Sequence, residues 1–425
     1  MSATLDLDIE RPVAGGRMLA RTNGRVVFVS GAIPGERVRA RIERENRQGV
    51  WARAIEILTP SPDRRDPVGD PACGVGYAFI RYDRQRALKG QLVEDAFRRI
   101  GRLPLEAVPP VASSPETAYR LRARLHARAG RLGFFRESTH DLCDAAATGQ
   151  LHAETVPAAE RLVEGLGPRQ PDVESLTVAE NVAATERVFH LTPRPGRRLD
   201  DLGRSMKLPD GVTGVTAQAR DRVAPIAGSP SVTDTAAALF GGVSPVGDLA
   251  VWARKAASFF QGNRFLTGTL VTRVLAHTQG DRVVDLYAGV GLFSVALAAR
   301  GATVTAVEGD RSSGDDLDAN AGPWRARLHV VRAPVEHVVV APLDVGADAV
   351  VLDPPRTGIS ADAVRGLIAW AVPRIVYVSC DPPTLARDAA RLASAGYRLS
   401  VIEALDLFPN TPHVETIAVF DRGGG

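Results

Sequence analysis

Residues 281–310, DRVVDLYAGVGLFSVALAARGATVTAVEGD, constrain this chain more than any other stretch. A strand-like run from Val283 to Leu286, apolar but for Asp285, leads to a glycine step, Gly289-Val290-Gly291. An alanine-rich apolar segment of helical length follows. A second β-branched run, Thr303 to Val307, then ends at Glu308. Two short strands joined through a helix predict a βαβ unit, which requires a parallel sheet covered by helices. The pattern repeats in ADAVVLDPPRTG and RIVYVSC, each followed by a loop and a helix, and YRLSVIEALDLFPNTPHVETIAVFDR supplies the closing strands. We read residues 248–425 as α/β: a doubly wound, Rossmann-like parallel sheet with an antiparallel edge. DLAVWARKAASFF, at its start, is predicted to be a helix.

At 425 residues the chain is too long for one ordinary core. Residues 1–60 carry closely spaced alternating segments, such as GRVVFVSGAIPGERVRARIE, and predict a small five-stranded barrel. TPSPDRRDPVGDP reads as a linker. Residues 72–245 read as a central α+β domain. Within it YDRQRALKGQLVEDAFRRIG and HAETVPAAERLVEGLG are helices, YRLRARLHARAGRLGFF is a hairpin turning near Gly130 or Gly133, and SLTVAENVAATERVFHL is strand.

Net charge is only +3, yet residues 81–136 hold 13 Arg and Lys against 5 Asp and Glu. Five of those arginines alternate with apolar residues in YRLRARLHARAGR, giving a strand with one basic face. Such a face is either salt-bridged and solvated or a phosphate-binding surface. No apolar run is long enough to span a membrane. The N-terminus lacks a secretory pattern. The three cysteines, 73, 143 and 380, make neither a disulfide framework nor a four-ligand metal site, which suits a reducing cytoplasm.

Candidate chemistry gathers at strand exits, where open α/β sheets bind ligands. Gly289 and Gly291 allow a tight turn and close approach of a ligand, but Ser294 stands where a dinucleotide fingerprint needs a third glycine. Glu308 is placed to accept from ribose hydroxyls. A ribose site without a pyrophosphate site suits S-adenosylmethionine; the plain alternative is a βαβ packing unit. Asp353 precedes two prolines that stiffen its loop, and can accept from a substrate base or serve as a turn aspartate. Cys380 repeats that design before Asp381-Pro382-Pro383 and is either a buried structural cysteine or a nucleophile toward an electron-poor carbon. Glu415 can act as a general base beside a thiol, with His413 as rival. Gln261 and Asn263 can read donor and acceptor edges, or Asn263 or Thr267 can cap a helix.

Together these segments resemble the RNA uracil-5-methyltransferase family, which makes 5-methyluridine in tRNA or 23S rRNA. FFQGNRF, DLYAGVGLFS, VEGD, LDPPRTG, YVSCDPPTLARD and FPNTPHVET match it in order. The first 60 residues resemble its TRAM domain, an RNA-binding barrel, and YRLRARLHARAGRLGFFRESTH its RNA-contacting central segment. The resemblance implies S-adenosylmethionine as donor, RNA as partner, no membrane, and a cytoplasmic monomer. It implies that Cys380 attacks uracil C6 and Glu415 removes the C5 proton. Gln261, Tyr287, Glu308 and Asp353 would contact the donor or shape the site, with Gly289 and Gly291 in the donor loop. Many members hold an iron–sulfur cluster on four cysteines. Here only Cys73 of that set stands, Gly76 and Thr148 replace two others, and Cys143 reads as incidental, so no cluster and no metal are expected. The rival readings are a base-amino N-methyltransferase, which would not need Cys380, a cytosine-C5 enzyme, which would need a cysteine beside Asp353, and an RNA-binding protein with a relic donor site.

Overall fold

A computed structural model describes residues 3–202, 206–220, 222–341 and 346–423, and every count below is of those residues. The chain opens with β1 (Thr4–Pro12), β2 (Met18–Thr22), β3 (Arg25–Ser30), β4 (Arg37–Asn46) and β5 (Gly49–Thr59). They close into a barrel in the order β1-β2-β3-β5-β4, as the alternation predicted. In β4, Val38 and Ala40 point inward while Arg37 and Arg41 stay in solvent. Closure leaves no free strand edge. The linker lies back on the barrel, where Arg64 Nη2 meets the buried Glu36 carboxylate at 2.6 Å.

Helix α1 (Tyr82–Ala96) and the short β6 (Val111–Ala112) follow. The sequence reading places both in the central unit. In the structure Val93, Ala96, Phe97 and Val111 share a core with Val284, Leu286 and Tyr377 of the C-terminal half. Their apolar faces are completed by that sheet, a long-range fact that local periodicity does not carry.

The central sheet contains β7 (Arg122–Arg128), β8 (Arg131–Phe135), β9 (Leu142–Cys143), β10 (Val173–Glu180), β11 (Arg187–Pro193), β12 (Gly214–Ala219) and β13 (Arg222–Gly228). Their order is β13-β12-β11-β10-β7-β8-β9. Helix α2 (Thr155–Glu164) buries Leu162 and Val163 in the core of this sheet with Phe189. The β7–β8 hairpin turns at Ala129 and Gly130, both at positive φ (49° and 74°). SLTVAENVAATERVFHL is two strands, because Asn181 Oδ1 accepts from the amides of Thr185 and Glu186 (2.9 and 3.0 Å) and turns the chain.

A two-stranded ribbon, β14 (Ser231–Thr235) and β15 (Val251–Lys255), flanks helix α3 (Ala236–Phe240). This corrects the helix expected over DLAVWARKAASFF. Burial in β15 alternates with period two: Trp252 and Arg254 are buried and Val251 is exposed. Arg254 misled the pattern because it is buried, with Nη1 on Asp234 Oδ2 at 2.5 Å and its guanidinium 3.7 Å from the Phe260 ring centre.

The third sheet carries β16 (Arg282–Leu286), β17 (Thr303–Glu308), β18 (Leu328–Arg332), β19 (Ala349–Leu352), β20 (Arg374–Ser379), β21 (Tyr397–Leu405) and β22 (Glu415–Arg422). Helices α4 (Thr267–His277), α5 (Leu292–Ala299), α6 (Arg311–Asn320), α7 (Val335–Val339), α8 (Ala361–Trp370) and α9 (Pro382–Ser394) cover it. The order is β18-β17-β16-β19-β20-β22-β21-β6. From β18 to β20 all pairs are parallel, while β22 runs antiparallel between β20 and β21. The order reverses at β16, so the exits of β16, β17, β19 and β20 open on one crevice.

The cysteine reading is also corrected. Cys73 and Cys143 are bonded to each other across 70 residues. Pairing of β9 with β8 and docking of the linker turn bring them together, and neither is visible in the spacing. Among the described residues no helix is long and apolar enough to cross a membrane.

Candidate active site

The exit of β16 builds one half of the crevice. Tyr287 stands at φ 62°, a left-handed conformation that a bulky residue holds only when its surroundings fix it. Its hydroxyl donates to Glu336 at 3.1 Å. Gly289 and Gly291 also have positive φ (58° and 89°). A Cβ on Gly291 would sit 2.7 Å from Leu317 Cδ1, whereas one on Gly289 would meet nothing within 4 Å. Gly291 is therefore a packing glycine, and Gly289 leaves an open cradle in the crevice. Glu308, at the exit of β17, accepts from the amides of Gly289 (2.7 Å) and Asp310 (2.6 Å). Burial still raises its pKa. Below the loop, Asp285 is fully buried, accepts from Ser294 and leaves Oδ1 without a partner. Burial first, then Asp353 and Glu308, moves its pKa to about 7.

The other half lies at β19, β20 and β22. Asp353 follows β19, and burial moves its carboxyl to about 7 against the opposing hydrogen bond from Gln261 Nε2 at 2.8 Å. Cys380 follows β20. Ser379 pairs with Thr416 at the end of the β20–β22 ladder, which brings Cys380 and Glu415 to adjoining positions. Cys380 is half-buried and Glu415 buried. Burial moves the Cys380 thiol up to about 12, with Glu415 and Asp353 adding to the rise and Arg356 opposing it. Burial and Asp353 likewise hold Glu415 well above the carboxylate range. Asp381 caps α9 by accepting from Thr384 N at 2.9 Å, with Pro382 in its first turn.

The structure thus brings Gln261, Asp353, Cys380 and Glu415 together, with Tyr287, Gly289, Gly291 and Glu308 on the neighbouring exits. Asn263 is not among them. It is buried in the turn that leads into α4, where its Oδ1 accepts from Phe265 N (2.9 Å) and Leu266 N (3.1 Å); the helix itself starts after Leu266 with no side-chain cap, so Asn263 is not the cap the sequence offered.

The profile of the tRNA (Uracil-5-)-methyltransferase family matches residues 245–422, and that of the TRAM domain residues 3–55. A 23S rRNA (uracil(1939)-C(5))-methyltransferase of Methylococcus capsulatus is 34% identical, covering 97% of this chain and 96% of its own. Its counterpart in Pseudomonas putida is 31% identical, covering 98% and 93%. The chain belongs to the RNA uracil-C5-methyltransferase family. The crystal structure of Pyrococcus abyssi tRNA (uracil-54, C5)-methyltransferase with S-adenosyl-L-homocysteine shares the methyltransferase's fold. It has a TM-score of 0.72 and 21% identity, covering 97% of this chain and 99% of that one.

Several residues that build this methyltransferase's site were not legible as such. Trp252 Nε1 donates to Gly291 O (3.2 Å), and Asn320 Nδ2 to Val290 O (2.9 Å), so the glycine loop is held from behind. Lys89 reaches from α1 to Asp406 (2.5 Å) and Phe408 O (3.0 Å), and Gln85 accepts from Asn410 N (2.9 Å). These fix the loop that enters β22 at Glu415. The rarity of lysine is the one hint the sequence offers, since this chain has only three.

Proposed function

We propose that the protein transfers a methyl group from S-adenosylmethionine to C5 of a uridine in 23S rRNA. The cradle fits the donor. Glu308 and the open face of Gly289 would hold its ribose side, and Tyr287 its flank. The donor supplies a methyl group on a positively charged sulfur. The observation that carries the reading is the β20–β22 register, which ends with Ser379 on Thr416 and so brings Cys380 and Glu415 to adjoining positions, beside the Gln261–Asp353 pair.

Uracil C5 is a weak nucleophile. Addition of the Cys380 sulfur to C6 moves electron density to C5 and splits one hard step into two easier ones. Gln261 and Asp353 hydrogen-bond the base and hold it in the crevice. After C5 is methylated, Glu415 removes its proton and the C6–sulfur bond breaks, returning Cys380. His413 is a poorer base, because burial and Arg356 bring its pKa to about 4. The two bacterial relatives, 34% and 31% identical over nearly the whole chain, are 23S rRNA enzymes by name and favour rRNA as the substrate, although the more distant structural neighbour is a tRNA enzyme.

With labelled donor, 23S rRNA fragments should gain 5-methyluridine and tRNA transcripts should not. Cys380→Ala should reduce turnover by a factor of at least about 10⁴ while retaining donor binding. Undiminished turnover would sink the covalent mechanism.

A further inference from the structure

We propose that Arg356 is a shared counter-ion for two anions formed in turn, the Cys380 thiolate and then the Glu415 carboxylate. The inference rests on the roles proposed above for those two residues.

Arg356 lies three residues beyond Asp353, in a turn closed by Gly358 N on Pro355 O at 2.8 Å. Gly358 has φ 73°, and a Cβ there would run into Thr384 and Asp388 of α9. Arg387 of α9 donates to Thr357 O at 3.0 Å. The turn is therefore pressed against the helix that begins beside Cys380. Nη2 of Arg356 lies 3.4 Å from His413 Nε2, two residues before Glu415, and the guanidinium opposes the burial that keeps the Cys380 thiol protonated. His413 stays neutral near pH 7 and can accept that hydrogen bond.

Among the described residues Arg356 makes no ion pair, whereas Arg387 and Arg391, in the helix it packs on, both pair with Asp388. The charged groups acting on Cys380 are Glu415, Asp353 and Arg356, and those acting on Glu415 are Asp353 and Arg356. Arg120 acts on Arg356, and Lys89, Arg120 and Asp381 act on His413 beside it. Arg356 is the one cation common to the thiol and the carboxyl.

A single cation suffices because the anions are sequential. At rest burial favours the protonated form of both groups. The thiol proton leaves to water, and the thiolate forms the C6–S bond, passing its charge to the uracil ring. Methylation at C5 discharges the ring. Arg356 then faces only Glu415, whose proton leaves to water. The carboxylate takes the C5 proton, the C6–S bond breaks, and the thiolate reappears against Arg356. The RNA gains one methyl group and loses one proton.

Full-length Arg356→Gln and Arg356→Lys proteins test this, once thermal melting and S-adenosylhomocysteine binding show them folded. The first measurement is iodoacetamide alkylation of Cys380 against pH, without RNA or donor and mapped by peptide mass. Arg356→Gln should alkylate about tenfold more slowly at a given pH, a displacement of about one pH unit, with Arg356→Lys between. The second is a single turnover on RNA tritiated at C5. In Arg356→Gln, methylated adduct should build up ahead of tritium release. Coincident alkylation profiles would overturn the proposal, as would a variant whose only defect is a raised KM for RNA. Tritium release keeping pace with methylation would overturn the second half. A fully active Cys380→Ser enzyme would defeat the nucleophile reading instead, leaving the alkylation result as an independent fact.

Discussion

Protonation decides what the two reactive residues can do. Cys380 and Glu415 are both held above their ordinary pKa values, chiefly by burial. An acid whose pKa is raised keeps its proton to higher pH, so the reactive anions accumulate as pH rises. We expect kcat/KM to climb between about pH 6 and pH 9 in stopped-time methylation assays; a flat profile would contradict it. The same sign governs stability at Asp285, whose pKa is about 7 in the fold against 3.8 ordinarily. Between those values the folded protein holds a proton that the unfolded chain has lost, so stability falls as pH rises through that window. Asp285→Asn should flatten part of that fall, on the order of 2 kcal/mol between about pH 5 and pH 7, in urea midpoints measured across the range. Cys380, Asp353 and Gln261 were legible because each stands at a punctuated end of an apolar run. Arg356 was not, because an arginine in a polar turn looks the same whether it faces solvent or a thiol.

At the scale of elements, the glycine loop and the loop 406–414 are held by quite different means. Gly289 and Gly291 both have positive φ, but only Gly291 is enclosed. Gly291→Ala should therefore destabilise the fold by about 2 kcal/mol or more, from the left-handed conformation and the collision with Leu317. Gly289→Ala pays the conformational cost alone, about 1 kcal/mol, while projecting a methyl into the cradle. Calorimetric titration with S-adenosylhomocysteine should show the larger loss of affinity per unit of lost stability for Gly289→Ala. The loop 406–414 depends on a fully buried pair, Lys89 with Asp406. Lys89→Met would strand a buried carboxylate, costing about 3–5 kcal/mol in denaturant unfolding. It should also lower kcat with little change in donor affinity, because Glu415 is delivered by that loop. The register of β20 on β22 was legible only as two apolar strands. Which residues face each other follows from the antiparallel insertion of β22, and no local pattern contains that. β15 shows the opposite failure: its buried arginine broke an alternation that Trp252 and Val251 otherwise obey.

Over the whole molecule, the barrel, the parallel sheet and its strand-exit crevice could be read from period and punctuation, since those are local. The bonding of Cys73 to Cys143 and the transfer of α1 to the C-terminal core could not, since both depend on docking between distant segments. The basic face of β7 is now sharper. Arg122 and Arg124 alternate with the buried Ala123 and Leu125. Arg120, Arg122 and Arg124 make no ion pair among the described residues; they bond to Gln150, the Ala256 carbonyl and Ser175 instead. Arg120 bridges to Asn263, two residues from Gln261, and its charge acts on Arg356 and His413, so the stripe runs toward the crevice. Replacing all three by Gln should make the salt dependence of RNA binding shallower by about 2 in log–log slope, if each meets one phosphate of an unpaired strand. An unchanged slope in filter binding would remove this face from the RNA surface. The burial of Lys89 has a consequence for this face. Of the three lysines, Lys89 is sealed against Asp406 and Lys255 is paired with Asp316, leaving Lys207 exposed. The positive charge offered to a polyanion is therefore almost wholly guanidinium. Acetyl transfer to amines, which cancels the charge of lysine-rich binders, has next to nothing here to act upon.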